Sequence, residues 1–314
     1  MKAYGLRKHI LMTFISLLLC VACMPATVWA DEVIDTEQSA SLRVYFGEGG
    51  SGFADVEFSL YRVADISENG AFTLSGDFQE YPVNLDGLDS SGWRALAQTL
   101  DAYAERDALR PMKTGSTGQD GKAAFSALTT GLYLITGESY TSGEKIYTPE
   151  AMLVSLPGLT AEDRWNYEME VSCKFNSLVI SEEPVKHKVQ KVWKDDGDEE
   201  KRPESITVQL LENGTVADTV TLSQKNNWEY TWENLNGSSR WQVAEAETPE
   251  GYTVTVVQEG TLFVMTNTRP SEPPPKLPQT GMLWWPVPLL ACGGLLLVAI
   301  GFFMRRRQGD QDEQ

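Results

Sequence analysis

The chain has 314 residues, and between residues 31 and 280 it carries 20 basic against 41 acidic residues, a net charge of −21. A surface of that sign repels nucleic acid and anionic polymers, so nucleic acid is excluded as a partner. That region holds one histidine, His187, and no HExxH, GxSxG, phosphate-binding loop or dinucleotide fingerprint. A Ser-His-Asp triad or a multi-histidine metal site is therefore nearly excluded, no cofactor is expected, and the chain does not read as an enzyme.

Residues 1–30 hold Lys2, Arg7 and Lys8, then an apolar run from Ile10 to about Cys23, and close on Val28-Trp29-Ala30. A charged start, an apolar core and a small-residue end predict a secretory signal peptide. Cys20 and Cys23 leave with it, and Cys292 falls in a later apolar stretch. Cys173 is then the single cysteine of the secreted region, which rules out an internal disulfide there.

Residues 31–180 form the first unit. Ser41 to Phe46 alternates apolar and polar residues and reads as a strand. Val56, Phe58 and Leu60 share one face of the next strand, with Glu57, Ser59 and Tyr61 on the other. From about Ser91 to Arg106 the period becomes helical, with Trp93, Leu96, Ala97, Leu100 and Ala104 on one stripe and Ser90 or Ser91 as the N-cap. Ala123 to Leu128, Leu132 to Ile135, Ala151 to Leu156 and Tyr167 to Phe175 are further strands. The unit reads as a β-sandwich with one helical insertion.

Ser181 to Pro184 reads as a linker. Residues 185–269 form the second unit, with short strands about ten residues apart and turns at Asn213-Gly214, Asn236-Gly237 and Glu250-Gly251. That spacing predicts a second all-β sandwich in tandem with the first. Residues 270–276, rich in proline, form a stiff extended spacer. Residues 282–304 are uncharged and long enough to cross a bilayer, and Arg305, Arg306 and Arg307 place the end that follows in the cytoplasm.

Before that span stands Leu277-Pro278-Gln279-Thr280-Gly281. Pentapeptide, apolar stretch and basic tail together resemble the LPxTG cell-wall sorting signal of Gram-positive surface proteins, here residues 277–314. The resemblance implies a sortase as partner. It would cut between Thr280 and Gly281 and pass the Thr280 carbonyl to an amine on a peptidoglycan precursor or a neighbouring pilin subunit. The protein would then be secreted and wall-anchored, with the span a transient membrane intermediate. The alternative is a permanent single-pass protein.

The second unit carries Lys191-Val192-Trp193-Lys194-Asp195-Asp196, Arg202-Pro203-Glu204-Ser205-Ile206-Thr207-Val208-Gln209-Leu210, Asn227-Trp228-Glu229-Tyr230-Thr231-Trp232, Glu245 with Pro249-Glu250-Gly251-Tyr252, and Thr266-Asn267-Thr268. In that order these runs resemble the Cna protein B-type domain of Gram-positive adhesins and pilins, an immunoglobulin-like sandwich. The resemblance implies an intramolecular isopeptide bond, with Lys191 as nucleophile, Asn267 as electrophile and Glu245 as proton shuttle. Such chemistry needs burial, because an ammonium has no lone pair to attack with, and a desolvated lysine gives up its proton more readily. Lys188 and Lys194 are neighbours with the bland reading of solvated strand lysines, which Lys191 shares.

The first unit resembles pilin N-terminal domains in Asp120-Gly121-Lys122 and Gly131-Leu132-Tyr133-Leu134. No lysine occurs between residues 31 and 112, and Arg43 holds the first-strand position. An arginine stays charged, so no first-strand cross-link is expected there. Trp165, Val171 and Lys174 keep the spacing of a pilin motif, with Met169 in place of a valine and Ser172-Cys173 in place of Tyr-Pro. The resemblance implies that Lys174 receives the Thr280 carbonyl of the next subunit; the alternative is an ordinary lysine ending a strand. The leading reading is a sortase-anchored pilus subunit or pilin-like stalk. The alternative is a monomeric wall-anchored adhesin that binds a host-matrix or partner-cell ligand.

Overall fold

The computed structural model describes residues 33–162, 164–181 and 183–269. The signal peptide (1–30), the spacer (270–276), the sorting residues Leu277, Pro278, Gln279, Thr280 and Gly281, and the span 282–304 lie outside the described residues. The fold is mostly β.

In the first half, strand β1 (Ala40–Tyr45) sits between β3 (Lys122–Leu128), antiparallel, and β6 (Glu168–Ser172), parallel. Facing them, β5 (Met152–Leu156), β4 (Gly131–Gly137) and β2 (Glu57–Ile66) form a second sheet, extended by Phe72–Leu74 and Lys113–Ser116. Period-two alternation sends Leu42 and Val44 of β1 and Phe58 and Leu60 of β2 into one core, as predicted. Strand β4 is apolar on both faces. Tyr133 and Ile135 enter that core, while Leu132 and Leu134 enter another on the far side of the sheet.

Helix α1 (Ser90–Arg106) covers that far side with Leu96, Ala97, Leu100 and Ala104. Its N-cap is Asp89, not Ser90 or Ser91: the Asp89 carboxylate accepts the Gly92 N–H at 2.8 Å and the Ser91 hydroxyl at 2.7 Å. A carboxylate satisfies two donors at once and favours the positive end of the helix dipole. The helix is also buried on a second face, which the single apolar stripe did not predict. Thr99 Oγ1 accepts the Val256 N–H at 2.8 Å, Gln98 Oε1 accepts the Gln258 N–H at 3.1 Å, and Asp101 accepts Gln242 Nε2 at 3.0 Å. Arg240 pairs with both Asp101 and Glu105. Tyr103 enters the apolar core of the second half. The described residues from 33 to 269 therefore cluster as one compact unit.

The second half has a four-stranded sheet in the order β10 (Glu229–Leu235), β7 (Val185–Lys194), β13 (Leu262–Thr268) and β12 (Thr253–Glu259). A three-stranded sheet in the order β9 (Thr215–Ser223), β8 (Ser205–Glu212) and β11 (Trp241–Glu245) faces it. Asn213 and Gly214 join β8 to β9 with φ of 47° and 81°, the left-handed pair a two-residue hairpin needs. The first and last strands, β7 and β13, run parallel from Lys188 opposite Leu262 to Lys194 opposite Thr268. Val189, Val208, Leu210, Val243, Val254, Phe263 and Met265 fill the space between the sheets.

Candidate functional site

The site lies at one end of this second core. On β7 the residues His187, Val189 and Lys191 point inward, and on β13 Phe263, Met265 and Asn267 do the same. The register sets Lys191 opposite Met265 and Trp193 opposite Asn267, so Lys191 and Asn267 are same-face neighbours across the parallel pair. Glu245 arrives from the opposite sheet, where Trp241, Val243 and Glu245 form the inward face of β11. Alternation on three strands thus brings together three polar groups far apart in sequence.

Their geometry is tight. The Lys191 and Glu245 side chains are both 0% exposed, with Nζ 3.3 Å from Oε1. That is close enough for an ion pair, and among the described residues no acceptor is aligned for a hydrogen bond from Lys191 Nζ. Asn267 is likewise buried, and its Nδ2 donates to both Glu245 oxygens at 3.0 Å. Its Oδ1 is buried and has no hydrogen-bond partner among the described residues. Burial pushes the Lys191 ammonium down to about 8, against the opposing pull of the Glu245 charge. A buried amine next to an amide and a carboxyl group has the parts that acyl transfer needs. As a purely structural motif it would be costly, because desolvating an ion pair offsets much of its attraction.

Aromatic rings close the outer end. Lys191 Nζ lies 4.6 Å from the Trp193 ring centroid, and Trp193 meets Trp228 and Tyr252 edge to face at 5.2 Å. Beyond them a group that sequence reasoning missed fixes the end of β7. Asp195 holds Arg202 through two hydrogen bonds, at 2.7 and 2.8 Å, and accepts the Tyr252 hydroxyl at 3.2 Å. The Arg202 guanidinium holds the Asp195 carboxyl down at about 2. All three residues lie in the quoted motif runs, but nothing in their spacing announced that they meet. The neighbouring lysines are outward: Lys188 pairs with Glu229 and Lys194 is exposed.

In the first half, Arg43 is exposed, and its strand sends Leu42 and Val44 inward instead. The expected strand from Tyr167 to Phe175 is interrupted. β6 ends at Ser172, Cys173 drops into the core, and the chain resumes at Phe175 in a different sheet, paired with Lys145–Pro149. Lys174 is exposed at that corner. Cys173 is buried and its thiol is pushed up to about 12 by desolvation, so it is a poor nucleophile.

Residues 187–268 match the family model of the Cna protein B-type domain. A collagen adhesin of Staphylococcus aureus is 26% identical over 202 residues, which cover 56% of this chain and 17% of the adhesin, so the chain spans only a small part of that relative's length. Among solved structures, the full-length major pilin SpaD of Corynebacterium diphtheriae aligns at 16% identity with a TM-score of 0.30, over 75% of this chain and 65% of the pilin. A single B repeat unit of the collagen-binding surface protein of Staphylococcus aureus aligns at 16% identity with a TM-score of 0.27, over 74% of this chain and 99% of the repeat.

Proposed function

We infer, for a chain whose residues 187–268 match the Cna protein B-type domain, a pilin-like surface protein that works by bearing load and seals itself with a Lys191–Asn267 isopeptide bond. The observation that carries this reading is the buried trio of Lys191, Glu245 and Asn267. In the low-dielectric interior the ion pair neutralises by passing one proton from Lys191 to Glu245. The Lys191 nitrogen then attacks Asn267 Cγ. As the Cγ–Nδ2 bond breaks, Glu245 delivers its proton to Nδ2 and takes one from the attacking nitrogen. The Cγ–Nζ bond replaces the Cγ–Nδ2 bond, one ammonia leaves, and Glu245 ends protonated, holding the proton that Lys191 first gave up. Of the two tasks open to Glu245, the geometry favours this one: Nδ2, the leaving nitrogen, faces both of its oxygens. Polarising Oδ1 instead would need the amide turned over.

The bond would join the first and last strands of the domain, which already lie side by side. Tension entering at Val185 would pass through β7 and β13 without unzipping the strands between. This serves a secreted chain whose mature region has a single cysteine. Anchoring would fall to sortase, acting at Thr280 within Leu277-Pro278-Gln279-Thr280-Gly281. In a polymer the acceptor amine would be Lys174, exposed at the corner between two strands. The likeness to a collagen adhesin favours a second reading, in which a single wall-linked copy binds a host-matrix ligand.

Detergent gels of cell-wall extracts separate the two. Polymerisation gives a ladder that collapses to one band in Lys174→Ala. One band in the wild type supports the monomeric anchor, and a ladder that survives Lys174→Ala excludes that lysine as the acceptor.

A further inference from the structure

Strand β11, which carries Glu245, is the edge of its three-stranded sheet. Its register sets Glu245 opposite Val208, and the next residue, Ala246, donates its N–H to Thr207 O at 2.9 Å. In an antiparallel ladder a residue so placed turns its own N–H and C=O away from the partner strand. The Glu245 carbonyl therefore points off the open edge. It is met there by helix α1: Arg106 Nη1 donates to it at 2.8 Å. Arg106 is itself held. Its Nε and Nη2 donate to the two Asp107 oxygens at 2.7 Å, and its guanidinium lies 4.5 Å from the Tyr103 ring centroid. Asp107 also accepts the Tyr81 hydroxyl at 2.6 Å, and the Tyr81 ring stacks on Tyr103 at 5.1 Å.

We propose that Arg106 is a positioning residue for the cross-link: reaching from the helix of the first half, it fixes the backbone of Glu245 so that the carboxyl group stays between Lys191 and Asn267. This rests on the isopeptide reading. The relay has two legs, 3.3 Å from Lys191 and 3.0 Å to Asn267, and acyl transfer loses up to about a hundredfold in rate for a displacement of about 1 Å. Without Arg106 the Glu245 carbonyl on this edge strand would lose its donor from the helix.

The test follows ammonia loss by intact mass after cell-free synthesis of the full chain in detergent. Arg106→Met keeps the side-chain stem but removes the donor, and is expected to slow the mass change roughly ten- to hundredfold. Arg106→Lys restores a cationic donor and should recover most of the rate. Thr99→Val loosens the helix at β12 without touching Glu245 and should react close to the wild-type rate. Wild-type speed in Arg106→Met overturns the proposal, as does equal slowing by Thr99→Val, which would make docking alone responsible. Should Arg106→Met fail to fold, Asp107→Asn, which frees the guanidinium, is expected to slow sealing severalfold, and an unchanged rate there overturns it equally. A wild type that never loses ammonia is a different result: it sinks the cross-link itself.

Discussion

Glu245→Gln isolates the shuttle from the packing around it. Glutamine matches glutamate in volume and keeps an oxygen for Asn267 Nδ2, but it cannot accept and return a proton, so no ammonia should be released. The lost cross-link closes a loop from Lys191 to Asn267, about 76 residues of chain, worth about 4.5 kcal/mol through the unfolded state. The shift in melting temperature then reports what unfolds together. With about 2.1 cal/mol/K of unfolding entropy per residue, residues 187–268 melting alone would lose about 25 °C, while residues 33–269 melting as one body would lose about 9 °C. The docked helix α1 predicts the smaller figure. Calorimetry paired with intact mass makes the assay. A variant that still loses ammonia would refute the role of Glu245, and a shift near the larger figure would refute cooperative melting of the two halves.

Asn267→Ala leaves the Lys191 amine buried and free. Its folded value of about 8 lies below the ordinary 10.5, so the unfolded chain binds the proton more tightly. The penalty is whole below pH 8, lifts as the pH rises toward 10.5, and is gone above it. Urea midpoints of this variant should rise across that window by on the order of 3 kcal/mol of stability, and a flat profile contradicts a buried free amine. Asp101→Asn removes one carboxylate from Arg240 and should cost about 2–3 kcal/mol, less than a fully stranded charge because Glu105 still faces the guanidinium. Hydrogen exchange should then show faster opening of α1; unchanged protection would mean the ion pair does not hold the helix.

Lys191, Asn267 and Glu245 were singled out by the resemblance to the Cna protein B-type domain, since their spacing left Lys191 no different from Lys188 and Lys194; the structure brings the three side chains together in the core. A lysine on the first strand, an asparagine on the last and a glutamate between them sit in ordered motif runs, and alternation turns all three inward. The second face of α1 was not legible. Its Ala95, Thr99 and Ala102 are small or polar, and Asp101 and Glu105 one turn apart read as a solvated acidic face. Their partners Arg240, Gln242 and Val256 lie about 140–160 residues downstream, beyond the reach of any local pattern. Asp195, Arg202 and Tyr252 were hidden for another reason: Asp195 and Arg202 are only seven residues apart, but their pairing and the approach of Tyr252 depend on how the turn after β7 folds back. The break at Cys173-Lys174 was missed because apolar alternation runs on through Phe175, and only tertiary packing decides that Phe175 joins another sheet. The cap was misassigned between three adjacent residues, Asp89, Ser90 and Ser91, all of them capable of capping.

Tandem mass spectrometry of the digested, folded protein tests the cross-link most directly. One branched species joining the Lys191 peptide to the Asn267 peptide, lighter than the sum of its parts by one ammonia, is the predicted result. Separate linear peptides, with the Lys191 amine free and the Asn267 amide intact, would contradict it.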